Sequence, residues 1–232
     1  MEIQKLVIKR LAGIMLLLVL GIFGGPTQSL GQGTDLSLNQ VMIETNLGEI
    51  VLVLDPEKAP VTVENFLSYV DQQGYDGTIF HRVIPGFMIQ AGGHFEDLSE
   101  SPSRPPIKNE ADNGLSNRIG TIAMARLSDI DSASNQFFIN TANNARLDHG
   151  PKSCSREEEA KIAALRARGL MKPKRCKSFG YAVFGEVIRG LEVVRRIESL
   201  ETGMRNGFSD VPLEAVKIIT IRRVAHEKVF NP

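Results

Sequence analysis

The chain of 232 residues has no tryptophan, only two cysteines and only four histidines. Each scarcity excludes something. Cys154 and Cys176 are too few and too far apart for a zinc ribbon. His81, His94, His149 and His226 show no metal-ligand spacing such as His-Glu-x-x-His. There is no Gly-x-Ser-x-Gly elbow, no glycine-rich phosphate loop, and no pattern that pairs a serine or aspartate with a base. Nucleophilic, metal and phosphoryl chemistry therefore lack support, and no metal or cofactor is expected. Excess charge is missing too: 27 basic residues balance 27 acidic ones, so nothing points to nucleic acid as a partner. No Pro- or Gly-rich linker divides the chain and no repeat is visible.

A membrane-spanning run is also absent. Lys5, Lys9 and Arg10 precede an apolar run of 13 residues, Leu11 to Phe23, which Gly24–Gly25–Pro26 ends. A spanning helix needs about 20 residues. A basic start and a short apolar stretch form the pattern of a secretory signal, and Ser29 and Gly31 supply small residues for cleavage after 31. Residues 1–31 are thus expected to be a signal peptide, the protein to be exported to the periplasm, and no membrane contact to exist beyond that segment. The alternative is an uncleaved N-terminal anchor. After a short lead-in, 32–40, one domain is expected over 41–224, with a tail at 225–232.

What is present is a series of short strands. Val41–Thr45 and Glu49–Leu54 flank Asn46–Leu47–Gly48 and read as a hairpin. Pro60 opens a helix whose Val63, Phe66, Leu67 and Val70 share one face. Strands are expected at 78–83, 87–91, 121–125, 136–139, 182–187 and 216–224, and a second helix at 190–200 with Leu191, Val194 and Ile197 on one side. Many strands and two helices predict a mainly β fold, an antiparallel sheet closed into a barrel with the helices over its ends or flanks.

Residues 151–178 break this pattern with nine basic and three acidic residues. Ile162 and Leu165 give a thin apolar stripe, so a surface helical insertion is expected. A helix over about 156–168 advances ~20 Å, and seven extended residues return up to ~25 Å. The ends can meet, and in an oxidising compartment Cys154 and Cys176 are expected to form a disulfide.

The stretch "FHRVIPGFMIQAGG" (80–93) puts a permanent cation, Arg82, and an amide, Gln90, into an apolar run. Strand alternation puts Phe80 and Arg82 on one face and His81 on the other. After the Pro85–Gly86 turn, Met88 and Gln90 share a face opposite Phe87 and Ile89. A bend could gather Arg82, Phe87, Met88 and Gln90 around one hollow; the alternative is an Arg82 that reaches water at a strand end above ordinary core. His81 is expected to be structural, Met124 to be core, and Phe137 and Phe138 to divide between barrel and pocket.

"FHRVIPGFMIQAGG", "GTIAMAR", "SNQFFIN", "LDHG" and "FGYAVFGEVIRG" occur in order. Together they resemble a bacterial cyclophilin-type peptidyl-prolyl cis–trans isomerase over 41–224, interrupted by the insertion. The resemblance implies a closed eight-stranded antiparallel barrel capped by two helices, and it implies an enzyme. It places the catalytic arginine on Arg82, with Phe87 and Gln90 beside it. It places the proline pocket on Phe87, Met88, Phe138 and Leu147, and the groove before the proline on Ala125, Arg126 and Gln136. Arg146 stands where many eukaryotic members have tryptophan, and Tyr181, which the resemblance also places in the substrate-binding site, where they have histidine. The implied substrates are proline-containing polypeptides and a monomer is expected. The alternative is a proline-binding chaperone or scaffold module with little turnover.

Overall fold

The computed structural model describes residues 39–150, 155–169 and 179–224. The expected signal segment 1–31, most of the lead-in, the tail 225–232, and Cys154 and Cys176 with their expected disulfide lie outside the described residues.

In chain order the elements are β1 (Gln40–Thr45), β2 (Gly48–Leu54), α1 (Pro60–Asp71), β3 (Thr78–Ile84), β4 (Met88–Phe95), β5 (Thr121–Met124), β6 (Phe137–Asn140), a 3-10 turn (Ala145–Leu147), α2 (Arg156–Ala167), β7 (Val183–Arg189), α3 (Leu191–Glu198), β8 (Thr202–Arg205), β9 (Phe208–Pro212) and β10 (Ile218–Arg223). Eight strands form one antiparallel sheet in the order β10-β1-β2-β7-β5-β6-β4-β3. Its two edges meet: the Phe80 N–H donates to the Val216 carbonyl and the Gly77 N–H to the Ile218 carbonyl, each at 2.9 Å. The result is a nearly closed barrel, which satisfies edge groups that would otherwise template aggregation.

The barrel interior is filled by inward residues of successive strands, among them Ile43, Leu52, Phe80, Ile89, Ile122, Phe137 and Phe184. Helix α1 lays Val63, Phe66 and Val70 on this core. Phe66 is its centre, with ring centroids 5.3 Å from Tyr75, 5.6 Å from Phe137 and 5.2 Å from Phe184. The exposed amide ends of α1 are met from afar. The Glu110 carboxylate accepts from the Val61 N–H at 3.1 Å and from the Thr62 N–H at 2.9 Å, so an acidic group sits at the positive end of the helix.

Helix α3 buries Val193, Val194 and Ile197, whereas Leu191 is 39% exposed. The expected face was Leu191, Val194 and Ile197. At about 100° per residue, Val193, Ile197 and Val194 form one arc and Leu191 falls outside it. The insertion is helical as expected. Arg156 ties α2 to the barrel domain through two bonds of 2.8 Å to Asp131 and by stacking 4.9 Å from the Phe179 ring centroid. Among the described residues no helix is long and apolar enough to cross a membrane.

Two features depart from simple alternation. In β3, Phe80 pairs with Ala91 and Arg82 with Gln90, so His81 is an extra residue opposite a single step of β4. This bulge sends both Phe80 and Val83 into the barrel. Phe80 and Arg82 therefore do not share a face, contrary to a regular strand. The second feature is the β8–β9 hairpin, which the strand pattern did not predict. It packs on β3, where its Val211 is buried with Ile79 and Leu98.

Candidate active site

The register places one row of residues side by side across five strands. Arg82 on β3 pairs with Gln90 on β4, Gln90 with Phe138 on β6, Phe138 with Ala123 on β5, and Ala123 with Val183 on β7. Directly paired residues share a sheet face. The neighbouring Phe137, Ile139, Ile122 and Met124 point into the barrel, so this row lies on the outside. Phe137 and Phe138 divide as expected, and Met124 is core.

On that outer face Met88, Ala123, Phe138 and Val183 form a second apolar cluster, flanked by half-buried Phe87, Ala125, Leu147 and Tyr181. Phe138 and Tyr181 meet edge-on at 5.7 Å. Phe87 precedes β4 in the turn, outside the ladder, so the alternation that would oppose it to Met88 does not apply. The cluster is rimmed by cations. The Arg126 guanidinium lies 4.7 Å from the Tyr181 ring centroid, and that of Arg146 4.5 Å from the ring of Phe87. Arg126 is further held by its Nε donating to the Gly180 carbonyl at 2.9 Å. Gln90 Nε2 donates to Gln136 Oε1 at 2.7 Å, so the two glutamines act as one polar bar beside the apolar floor. The structure thus brings together all ten expected site residues: eight around the apolar floor, and Arg82 with Gln136 through Gln90.

Several supports were not legible in the sequence. The Phe87 carbonyl accepts from Asn144 Nδ2 at 2.8 Å and from the Thr141 N–H at 3.0 Å. Asn144 Nδ2 also donates to Asn140 Oδ1 at 2.7 Å, and Asn140 Nδ2 to Asn117 Oδ1 at 3.2 Å. These buried asparagines fix the backbone beneath the pocket. Glu198 of α3 accepts from the Gly86 N–H at 2.8 Å and from Arg195 at 2.6 Å, clamping the turn that presents Phe87. At Gly93 a Cβ would lie 2.4 Å from the Gln136 side chain, so Gln136 can lie across the sheet only over a glycine. Asparagines and glutamates are common in loops, and nothing local marks these as partners of residues up to 112 positions away.

His81 is buried, with its ring 4.6 Å from that of His94. Burial, and then the neighbouring His94, lower its imidazole from 6.5 to about 4. A neutral, packed ring is what a structural role requires.

The family model of the cyclophilin type peptidyl-prolyl cis–trans isomerases matches residues 40–223. Peptidyl-prolyl cis–trans isomerase A of Dickeya dadantii is 46% identical over 178 residues, covering 77% of this chain and 80% of the relative. Peptidyl-prolyl cis–trans isomerase B of Escherichia coli is 41% identical over 181 residues, covering 78% of this chain and 97% of the relative. A solved cyclophilin type isomerase of Cryptosporidium parvum, crystallised in the presence of the dipeptide Ala-Pro, superposes with a TM-score of 0.58 at 23% identity. It covers 81% of this chain and 99% of that one, and it supports the fold alone. The chain belongs to the cyclophilin-type peptidyl-prolyl cis–trans isomerase family. Membership assigns the reaction: rotation about the bond that precedes a proline.

Proposed function

We propose that Arg82 assists this rotation without covalent chemistry, in proline-containing segments of folding polypeptides. The observation that carries the reading is the single outer row that runs from Arg82 through Gln90 to Phe138. The barrier is about 18–20 kcal/mol because rotation destroys amide resonance. In the twisted state the proline nitrogen regains a localised lone pair, and a donor that meets it there binds the transition state better than either planar state. Arg82 is always charged and presents several N–H groups in a rigid fork. Phe87, Met88, Phe138 and Leu147 hold the pyrrolidine ring while the preceding carbonyl swings. Gln90 and Gln136 offer amide groups to the substrate backbone, and Ala125 and Arg126 border the residues before the proline. A coupled assay on a Xaa-Pro peptide tests this: wild-type turnover is expected, with a large loss in Arg82→Ala and the fold retained. Near-normal turnover by Arg82→Ala would refute the arginine's role.

We further propose that the protein is exported to the periplasm, on the strength of the basic start and short apolar run of residues 1–31. Export would let Cys154 and Cys176 pair. Cell fractionation with N-terminal sequencing tests the export. The mass of exported material with and without reductant tests the pairing; two alkylatable thiols there would exclude it.

A further inference from the structure

On its far side from the apolar floor, Arg82 faces the β8–β9 hairpin. Its Nε lies 3.6 Å from Oδ2 of Asp210 on β9, with the two side chains 41% and 38% exposed. Engagement at Nε leaves both terminal nitrogens of the fork for the substrate.

The backbone at Asp210 is unusual in a way that bears on this contact. The ladder runs from Gly203–Val211 to Arg205–Phe208, so β9 spends two residues, Ser209 and Asp210, where β8 spends one. Asp210 takes the left-handed conformation, with φ of 59°. Non-glycine residues rarely adopt it, although aspartate tolerates it better than most. Bulges of this kind re-aim side chains next to active sites, and such strain persists only where the surroundings hold it.

The surroundings here do hold it. Phe208 packs on His94 with ring centroids 5.0 Å apart, and Val211 is buried with Ile79 and Leu98. The Ser209 hydroxyl donates to Asp210 Oδ2 at 3.2 Å. Residues on either side of Asp210 are therefore docked against β3 and β4, and the strained residue between them points its carboxylate at the arginine.

We propose that Asp210 is a positioning residue for catalysis: its carboxylate holds the Nε edge of Arg82 and so turns the terminal N–H groups toward the proline nitrogen. The inference rests on the assignment of Arg82 above. It makes the hairpin, which is no part of the barrel, an element of the isomerase site. The pair is half-exposed, so its effect is bounded by what such pairs contribute.

The test uses Asp210→Asn, Asp210→Gly and Arg82→Ala in the intact protein, with steady-state kinetics and thermal unfolding. Asp210→Asn keeps the shape and removes the charge. Asp210→Gly suits the left-handed conformation better than aspartate, so a role confined to the backbone would leave activity intact and stability equal or higher. The expected result is a fall in kcat of about three- to fivefold in both variants. KM should change less than about twofold, as for a contact made in the transition state. Unfolding temperatures should be maintained, and the Arg82 Nε–H resonance should move in both. In an Arg82→Ala background, adding Asp210→Asn should cost nothing further. Wild-type kcat in both Asp210 variants, with Arg82→Ala inactive, overturns the inference and leaves the arginine's role standing. An equal loss with and without Arg82 also overturns it. Full activity of Arg82→Ala removes both.

Discussion

Arg82 and Phe138 lie two strands apart in the same cross-strand row, with Gln90 between them. One is the permanent cation and the other the largest apolar group of the outer cluster. Their separation is set by the spacing of strands, about 4.8 Å per strand, and not by loops. A barrel wall is rigid, so the distance between the group that meets the amide nitrogen and the group that grips the ring is built into the fold.

The first prediction concerns the cation. Arg82→Ala should lower kcat/KM about a hundredfold, about 2.7 kcal/mol of transition-state stabilisation. Arg82→Lys should recover only part of it, because an ammonium lacks the planar fork. Both are read in the coupled peptide assay, with circular dichroism to verify the fold.

Gly93 is predicted to matter through Gln136. A methyl group at 93 would lie 2.4 Å from Gln136 Cγ and Cδ, and the flexible side chain must swing away. It then loses its 2.7 Å bond with Gln90. Gly93→Ala should lower kcat/KM about tenfold, a cost of about 1.4 kcal/mol, with little change in unfolding temperature. In a Gln136→Ala background the same substitution should have little further effect. An equal loss in both backgrounds would show that Gly93 acts through something else.

Glu198 is predicted to hold the turn before Phe87. Glu198→Ala leaves the Gly86 N–H without its acceptor, and hydrogen bonds to charged groups contribute about 1.5–3 kcal/mol. Arg195 keeps its 2.7 Å bond to the Thr141 carbonyl, so α3 should stay docked. The expected outcome is a raised KM from a displaced Phe87, together with reduced stability in urea. An unchanged KM would show that the turn holds its shape without the clamp.

His81 is predicted to make stability depend on pH. Its folded-state value, about 4, lies below the ordinary 6.5. Above 6.5 both folded and unfolded chains carry a neutral ring. Between 6.5 and about 4 the unfolded chain binds a proton that the folded chain excludes, so stability falls as pH falls through this window. Below about 4 this group adds no further loss. At about 1.4 kcal/mol per pH unit, the total is at most about 3.5 kcal/mol. Asp71, held below the usual carboxylate range chiefly by its hydrogen bond from Arg223, contributes at lower pH. Denaturant midpoints from pH 4 to 7 should show the slope in wild type and a flatter profile in His81→Phe. Equal slopes would mean that other groups carry the dependence.

Local pattern determined a good deal here. Apolar periodicity located both capping helices, and β-rich runs between turn residues located the eight barrel strands to within a few residues, because burial of one face writes itself into neighbouring positions. The apolar run around Arg82 and Gln90 marked where a polar group needed a reason to be, and the ordered motifs supplied the chemistry. Tertiary structure alone decided the rest. A bulge at His81, which depends on how β3 meets β4, separated Phe80 from Arg82 and put the arginine in register with Phe138. Glu198 reaches Gly86 from 112 residues away, and Asp210 reaches Arg82 from a hairpin with no strong strand signal. Such contacts arise from the closing of the barrel and the docking of what lies outside it. Their partners are distant in the chain, and hydrophobic period carries information only about near neighbours.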